Sequence, residues 1–360
     1  MALENGHMTV QQIAELAGVS AATVSRVLNN RPGASEKVRQ NILRLANESG
    51  YRGAIHRNST ATLQIGLVHT RSALNLSDGY EAGLMFGVYR SLFQDRLRNI
   101  QAQMVLTDIS QRSDNESISQ YFLRRKLDGV VLRSHPPARE LAREIQKEGF
   151  PCVVLSDRFP GEPVDCVDFD SRPGTLRAFE HLYGLGHRRI AFVTQHYTLP
   201  NSTDLNDRYE IYCEQLQVHN IAYDPKLVQG VAHYSIGPTE LSCASAIDQF
   251  LVLADPPTAI MTVTPRFTIN LIRRLQQRGV RIPEQMSVVG FDDIDSRHSQ
   301  YPVYSSICQD SEYLASMATE ILLDRLCGDR QAPVRQLVFP TTFEANQTTG
   351  PVRSGPLTLH

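Results

Sequence analysis

In the stretch TVQQIAELAGVSAATVSRVLNN, Thr9 to Asn30, large apolar residues recur at helical rather than alternating spacing. Ile13, Leu16 and Ala17 share one face of a first short helix. Thr9 opens it, with a hydroxyl able to cap free backbone N–H groups. Gly18 permits a sharp bend. Ser20 then reads as the N-cap of a second helix, Ala21 to Leu28, whose inner stripe is Val24, Val27 and Leu28. Ala21, Ala22, Ser25, Arg26 and Asn29 are left for the outside. Two helices joined this tightly predict a helix-turn-helix.

From Leu63 the pattern changes to short apolar runs alternating with longer helical stretches. LQIGLVH predicts a strand, followed by a helix near Gly79–Gln94, then strand QMVLT and a helix around Asn115–Lys126. GVVLR, a helix over Ala138–Glu148, CVVLS and CVDFD complete one set. A second set runs through a helix at Gly174–Leu185, RIAFV, a helix at Asp207–Asn220, LVQGV, a helix near Pro238–Leu253, AIMTV, a helix at Phe267–Arg278, and SVVGF. Continuous Val/Ile/Leu runs predict strands buried on both faces, as parallel sheets require, and the alternation predicts βαβ units. The expected fold is therefore a small all-α head followed by an α/β body of two doubly wound lobes. Ligands of such sheets bind at the carboxyl ends of the strands.

At 360 residues the chain can hold two or three domains. Its net charge is only −2, but residues 1–60 carry seven Lys/Arg against four Asp/Glu, leaving the remainder at −5. A weakly basic head on an acidic body suits a nucleic-acid reader attached to a sensor. The six cysteines show no CxxC spacing, so neither a zinc site nor a redox pair is expected. No apolar run reaches spanning length and no apolar N-terminal segment suggests export, which places the protein in the cytoplasm. Met1–His7 reads as a leader, with Met8 as an alternative start, and RSGPLTLH at the other end reads as a loose tail.

The outward face of the second helix suits the major groove of DNA, which such a helix enters with its N-terminal end. Arg26 can give two donors to guanine O6 and N7, and Ala21 and Ala22 can pack on thymine methyls. Thr9, Ser20, Thr23, Ser25 and Asn29 are small donors suited to phosphate oxygens, which fix register.

AGVSAATVSRVLN resembles the N-terminal motif of the lactose-repressor (LacI/GalR) family of bacterial transcription regulators. SEKVRQNILRLANESGY, Ser35 to Tyr51, resembles that family's third helix, with Ser35 as cap and Val38, Ile42 and Leu45 inside. LDGVVL, FPCVVLSDR, HLYGLGHRRIAFVT, IPEQMSVVGFDD and YPVYSSICQD resemble its sensor domain in order and spacing. The resemblance implies a periplasmic-binding-protein-like body in which the chain crosses between lobes three times, so that a helix near Ser311–Leu326 returns to the first lobe. The expected division is a head over 8–52, a hinge over 53–62 and a body over 63–350. Within the body, lobe 1 takes about 63–170 and 305–331, and lobe 2 about 171–304 and 332–350.

By the same resemblance an effector lies in the cleft between the lobes, touched by Asp157, Arg208 and Asp292 and, by looser alignment, Thr70, Tyr234 and Gln309. Two departures stand out. Gly53 and Ala54 replace the hinge's usual Pro-Asn in a shortened linker that has no leucine at the minor-groove wedge position and Ile55 as the only large apolar residue nearby. After AIMT, the usual Ala-Asn-Asp is Val263, Thr264 and Pro265, which puts Thr264 where an asparagine would meet a ligand hydroxyl. His69, Arg71, Arg133, His135 and Arg266 near strand ends raise an anionic sugar derivative as a variant effector.

An enzyme is disfavoured. Gly184-Leu185-Gly186 lacks a third glycine and follows a helix, and there is no GxSxG, Walker or HExxH motif. Asp292, Asp293 and Asp295 miss the spacing of an EF-hand, so no metal and no cofactor are expected. The reading that results is a ligand-responsive regulator, a repressor in its simplest form. It binds a near-palindromic operator as a homodimer and answers to a small sugar or sugar-derived metabolite. The competing reading is a solute-binding sensor with little DNA specificity.

Overall fold

The computed structural model describes residues 8–28, 31–49, 51, 62–69, 79–94, 101–133, 138–195, 203–231, 239–293, 303–328 and 332–357. Three helices come first: α1 (Val10–Ala17), α2 (Ala21–Leu28) and α3 (Glu36–Glu48). Thr9 caps α1 in a closed box: its hydroxyl accepts the Gln12 N–H, and the Gln12 side chain accepts the Thr9 N–H. Gly18 ends the helix at φ +66°, the left-handed region that glycine enters freely, and its N–H reaches the last carbonyls of α1. Ser20 caps α2 through the Thr23 N–H at 3.1 Å, and Ser35 caps α3 through Val38. Ile13, Val24, Val27 and Ile42 are fully buried where the three helices meet.

The strands of the first sheet are β1 (Leu63–His69), β2 (Ala102–Asp108), β3 (Gly129–Arg133), β4 (Cys152–Leu155), β5 (Asp165–Asp170) and β11 (Gln336–Pro340). Those of the second are β6 (Ile190–Gln195), β7 (Val228–Val231), β8 (Ala259–Thr262), β9 (Ser287–Asp293), β10 (Ser305–Gln309) and β12 (Thr342–Glu344). The orders are β11-β5-β4-β3-β1-β2 and β12-β10-β9-β8-β6-β7. The same doubly wound order thus occurs twice, each time with one late strand added at an edge. The connecting helices are α4 (Gly79–Gln94), α5 (Ile118–Arg124), α6 (Ala138–Lys147), α7 (Arg172–Gly184), α8 (Thr203–Val218), α9 (Thr239–Leu251), α10 (Pro265–Gln277) and α11 (Ser311–Cys327). The central strands run parallel, and β3, β8 and β10 are buried along nearly their whole length, as strands covered on both faces must be.

The chain divides into two compact units. The first contains α1–α3, β1, Leu84–Asp168 and Glu312–Leu337; the second contains Phe169–Ser311 and Val338 onward. In the first, α11 packs against α4 where a Cβ on Gly87 would lie 2.2 Å from the Glu312 carbonyl, so only glycine permits the approach. A buried ion pair also holds α11 to β5: Arg325 Nε and Nη2 each lie 2.8 Å from an oxygen of Asp165. In the second unit, a single core of both helix layers closes on the sheet around Phe179, Phe192, Phe250, Phe267 and Phe291.

Three expectations need correction. Residues 305–309, placed with lobe 1, form β10 of the second sheet, because the strand pairs with β9 and with β12. Residues 336–340, placed with lobe 2, form β11 beside β5 in the first sheet. The C-terminal tail is not loose up to Leu357. Arg353 donates to the carbonyls of Pro256, Pro257 and Gln285, and Leu357 packs on the second core.

His187 ties the same C-terminal segment to the second sheet. Its Nε2 lies 3.0 Å from the Gly350 carbonyl, to which it donates, and its Nδ1 lies 2.9 Å from the Thr258 hydroxyl. Burial pushes its pKa below the ordinary 6.5 and does the same to His181 nearby. A lowered folded-state pKa means that the unfolded chain binds protons first as pH falls. Stability is therefore complete above about pH 6.5 and declines as pH drops through that value toward the lowered ones. Thermal melts at pH 8 and pH 5.5 should show a lower midpoint in acid, and His187→Gln should narrow the gap. A gap unchanged by the substitution would remove His187 from the effect.

Candidate functional site

The first candidate surface is the outer face of α2. Burying Val24 and Val27 turns Ala21, Ala22, Ser25 and Arg26 into solvent, and all four are exposed. Ser20 is exposed too and engages Thr23, Oγ to Oγ1 at 2.9 Å, so both hydroxyls bracket the first turn of α2. Thr9 is half-buried at the start of α1. A short apolar patch of two alanines, a guanidinium one turn further on and a collar of hydroxyls are thus displayed together. They match base edges flanked by phosphates. Asn29 and the hinge residues Gly53, Ala54 and Ile55 lie outside the described residues.

The second candidate surface is the carboxyl ends of the strands of the second unit. The change in winding direction falls between β6 and β8, where open α/β sheets bind ligands. Arg208, on α8, reaches this end and is only 4 % exposed. Its Cζ lies over the Phe291 ring at 3.3 Å from the ring centre, while Nη1 donates to the Val263 carbonyl at 2.5 Å and Nε to Ser171 Oγ at 3.3 Å. Helix, strand end and loop together fix one orientation of a buried cation. Asp292 and Asp293 are the last residues of β9, in register with Cys308 and Gln309 of β10. Gln309 is buried. Thr264 caps α10, its hydroxyl accepting the Phe267 N–H at 3.3 Å, and Pro265 follows in the first turn.

In the first unit, Asp157 follows β4 after Ser156, whose φ is +62°. Both oxygens of its carboxylate face Arg139, at 2.9 Å from Nε and 3.0 Å from Nη2, and Oδ1 also accepts the Arg158 N–H at 2.8 Å. Hydrogen bonding to Asp157 raises the Arg139 pKa, so the guanidinium stays charged. Asp157 is thus a clamp for Arg139 rather than an open acceptor. No periodicity announces this pair, because its partners are eighteen positions apart. His69, at the end of β1, is buried, and Arg133 ends β3 half-buried. Thr70, Arg71, His135 and Tyr234 lie outside the described residues. Among the described residues there is no cluster of acidic, His or Cys side chains able to hold a metal, and no helix long and apolar enough to cross a membrane.

A three-helix DNA reader joined to two doubly wound sheets defines a class: transcription regulators with a periplasmic-binding-protein-like body. Comparisons with known proteins agree. Residues 9–53 match the family described as bacterial regulatory proteins, lacI family, and residues 179–349 match the periplasmic binding protein-like domain. The HTH-type transcriptional regulator AscG of Escherichia coli is 30% identical over 307 residues, covering 83% of this chain and 86% of AscG. The HTH-type transcriptional regulator CelR of Thermobifida fusca is 29% identical over 343 residues, 92% of this chain and 96% of CelR. A solved CelR–cellobiose complex superimposes with a TM-score of 0.65 at 25% identity, covering 95% of this chain and all of that one. The chain belongs to the lacI family of bacterial regulatory proteins. It is a DNA-binding regulator of transcription, not an enzyme.

Replacing Arg26 by Ala should weaken operator binding by roughly 1–3 kcal/mol and relax the preference at one guanine. Binding titrations against single-base operator variants check this. A preference left intact at every position would take Arg26 out of base reading.

Proposed function

We propose that the protein is a repressor that binds a near-palindromic operator as a homodimer in the cytoplasm and is controlled by a small sugar or sugar-derived effector. The exposed face of α2, with Ala21, Ala22 and Arg26 displayed together, is the observation that carries the DNA half. One such face spans only a few base pairs, so two copies on a symmetric site are needed for useful specificity. A solute-binding sensor with little DNA specificity would have no use for this arrangement.

The effector half rests on the strand ends of the second unit. Arg208 presents a fixed guanidinium, Asp292 ends β9, and Thr264 and Gln309 add neutral polar groups nearby in the sheet order. Carboxylate, guanidinium, hydroxyl and amide are the donors and acceptors that sugar hydroxyls take. Tyr234 is a further contact in this reading. CelR, solved with cellobiose, makes a neutral sugar the first class to try; the basic residues His69, Arg71, Arg133, His135 and Arg266 keep acidic sugars in the panel. The effector must favour one state of the body over the other, with couplings typically on the order of 1–3 kcal/mol.

Dimerisation has its own candidate surface. Phe86, Tyr89 and Phe93 stand on one face of α4 at 61%, 57% and 57% exposure, their rings 6.5 and 6.4 Å apart in sequence. Three large aromatics in a row favour burial against a second copy.

In gel-shift titrations with mono- and disaccharides and their acids, Asp292→Ala should bind the operator as the wild type does and no longer respond to the active sugar. A full response would move the effector elsewhere. Light scattering should find Phe86→Ser/Phe93→Ser monomeric at concentrations where the wild type is dimeric. An unchanged mass would exclude this face.

A further inference from the structure

The reader does not stand apart from the body: α1–α3 belong to the same compact unit as the first sheet. Two side-chain amides make the junction. Asn47, on α3, is 5% exposed although its own helix gives it no reason to be buried. Its Nδ2 donates to the Glu148 carbonyl at 2.6 Å and to Ser119 Oγ at 3.1 Å. Gln120, on α5, is 3% exposed, and its Nε2 donates to the Val27 carbonyl at 2.6 Å. That carbonyl lies in the last turn of α2, where no intrahelical N–H is left to take it.

Gln120 uses both ends of its amide. Its Oε1 accepts the Ser117 N–H at 2.9 Å, which closes the capping box of α5, and accepts Arg39 Nη1 of α3 at 3.1 Å. The acceptor that ends the first turn of α5 and the donor that ends α2 are thus one side chain. Glu148 completes the seat: its Oε2 accepts the Ser119 N–H at 2.6 Å and Ser117 Oγ at 3.3 Å. Gly149, turning at φ +68°, brings the backbone after α6 beside Arg44 of α3. All of this lies behind the reader, since Ala21, Ala22, Ser25 and Arg26 remain exposed. The seated reader can therefore meet DNA without being released.

We propose that Asn47 and Gln120 are positioning residues for DNA reading: Gln120 hands the orientation of α5 to the recognition helix through the Val27 carbonyl, and Asn47 ties α3 to α5 and to the turn after α6. Hydrogen bonds suit this task because they fail steeply with distance and angle, so a small shift of α5 is felt at the end of α2. The proposal rests on α2 being the DNA-reading helix.

Gln120→Glu is the discriminating variant. It keeps the oxygen that caps α5 and faces Arg39, and replaces the amide nitrogen that donates to Val27 with a carboxylate oxygen, which cannot donate and repels that carbonyl. Asn47→Ala is the second variant, on the reader side. Hydrogen exchange on the full chain should show faster exchange across Ser117–Phe122 and Glu148–Phe150 in both variants, with the core of α1–α3 as protected as in the wild type. Affinity for the operator should fall at least fivefold, the lower end of typical inter-site couplings. Unchanged exchange at the seat, or altered exchange with wild-type affinity, overturns the positioning role. A wild type that binds no DNA from the region upstream of its own gene, the probe for these titrations, would instead overturn the reading of α2, and the exchange data would separate the two failures.

Discussion

Helical periodicity acting on four fully buried residues underlies the DNA-reading surface. Ile13, Val24, Val27 and Ile42 leave water together, each burial contributing about 1.5–3 kcal/mol. Once Val24 and Val27 point inward, a 3.6-residue repeat leaves Ala21, Ala22, Ser25 and Arg26 no direction but outward. The caps decide where that face begins. Gly18 bends the chain in a backbone region that costs other residues more, and the Ser20 hydroxyl accepts the Thr23 N–H in the first turn of α2. A reader built this way needs no folding transition to present its side chains.

In the body the corresponding constraint is burial on both sheet faces. It forces parallel strands with helical crossovers, and parallel strands place all their carboxyl ends along one edge. Polar residues at those ends are then collected by topology rather than by proximity in sequence. Each must still be aimed. Arg208 is aimed by the Phe291 ring beneath it and the Val263 carbonyl beside it, and Arg139 by both oxygens of Asp157. A guanidinium held before a ligand arrives loses less freedom on binding than one recruited from solvent.

What could be read in advance followed from period and punctuation. LQIGLVH and GVVLR are β1 and β3 residue for residue, because short runs rich in Val, Ile and Leu between polar stretches leave little choice. The helix over Gly79–Gln94 was legible in the same way. β10 does not read as a strand because only two of the five residues of SSICQ are apolar, and its five buried positions owe their burial to β9 and β12. β11 and β12 are short edge strands, whose alternating or exposed faces resemble loop composition. The outward face of α2 was legible because helix geometry is local. The partners of Arg208 and Asp157 were not, because ion pairs and cation–π contacts join residues whose separation along the chain carries no period. The TVQQ capping box, by contrast, was present in the sequence as a hydroxyl followed three positions later by an amide.

Size explains why the reader is seated on the body. A domain of some forty residues has too little interior to hold itself rigid, and its few buried side chains leave only marginal stability. Leaning α3 and the end of α2 on α5 and the turn after α6 extends that interior without covering the exposed face. The use of amides there has a physical consequence that apolar packing would not have. Apolar contacts tolerate sliding, whereas a buried Asn and Gln each require particular partners, and an unmet buried carbonyl is costly. The junction therefore favours one geometry strongly over its neighbours. A regulator that must translate a small change in its body into a change on DNA depends on that intolerance at the joint between them.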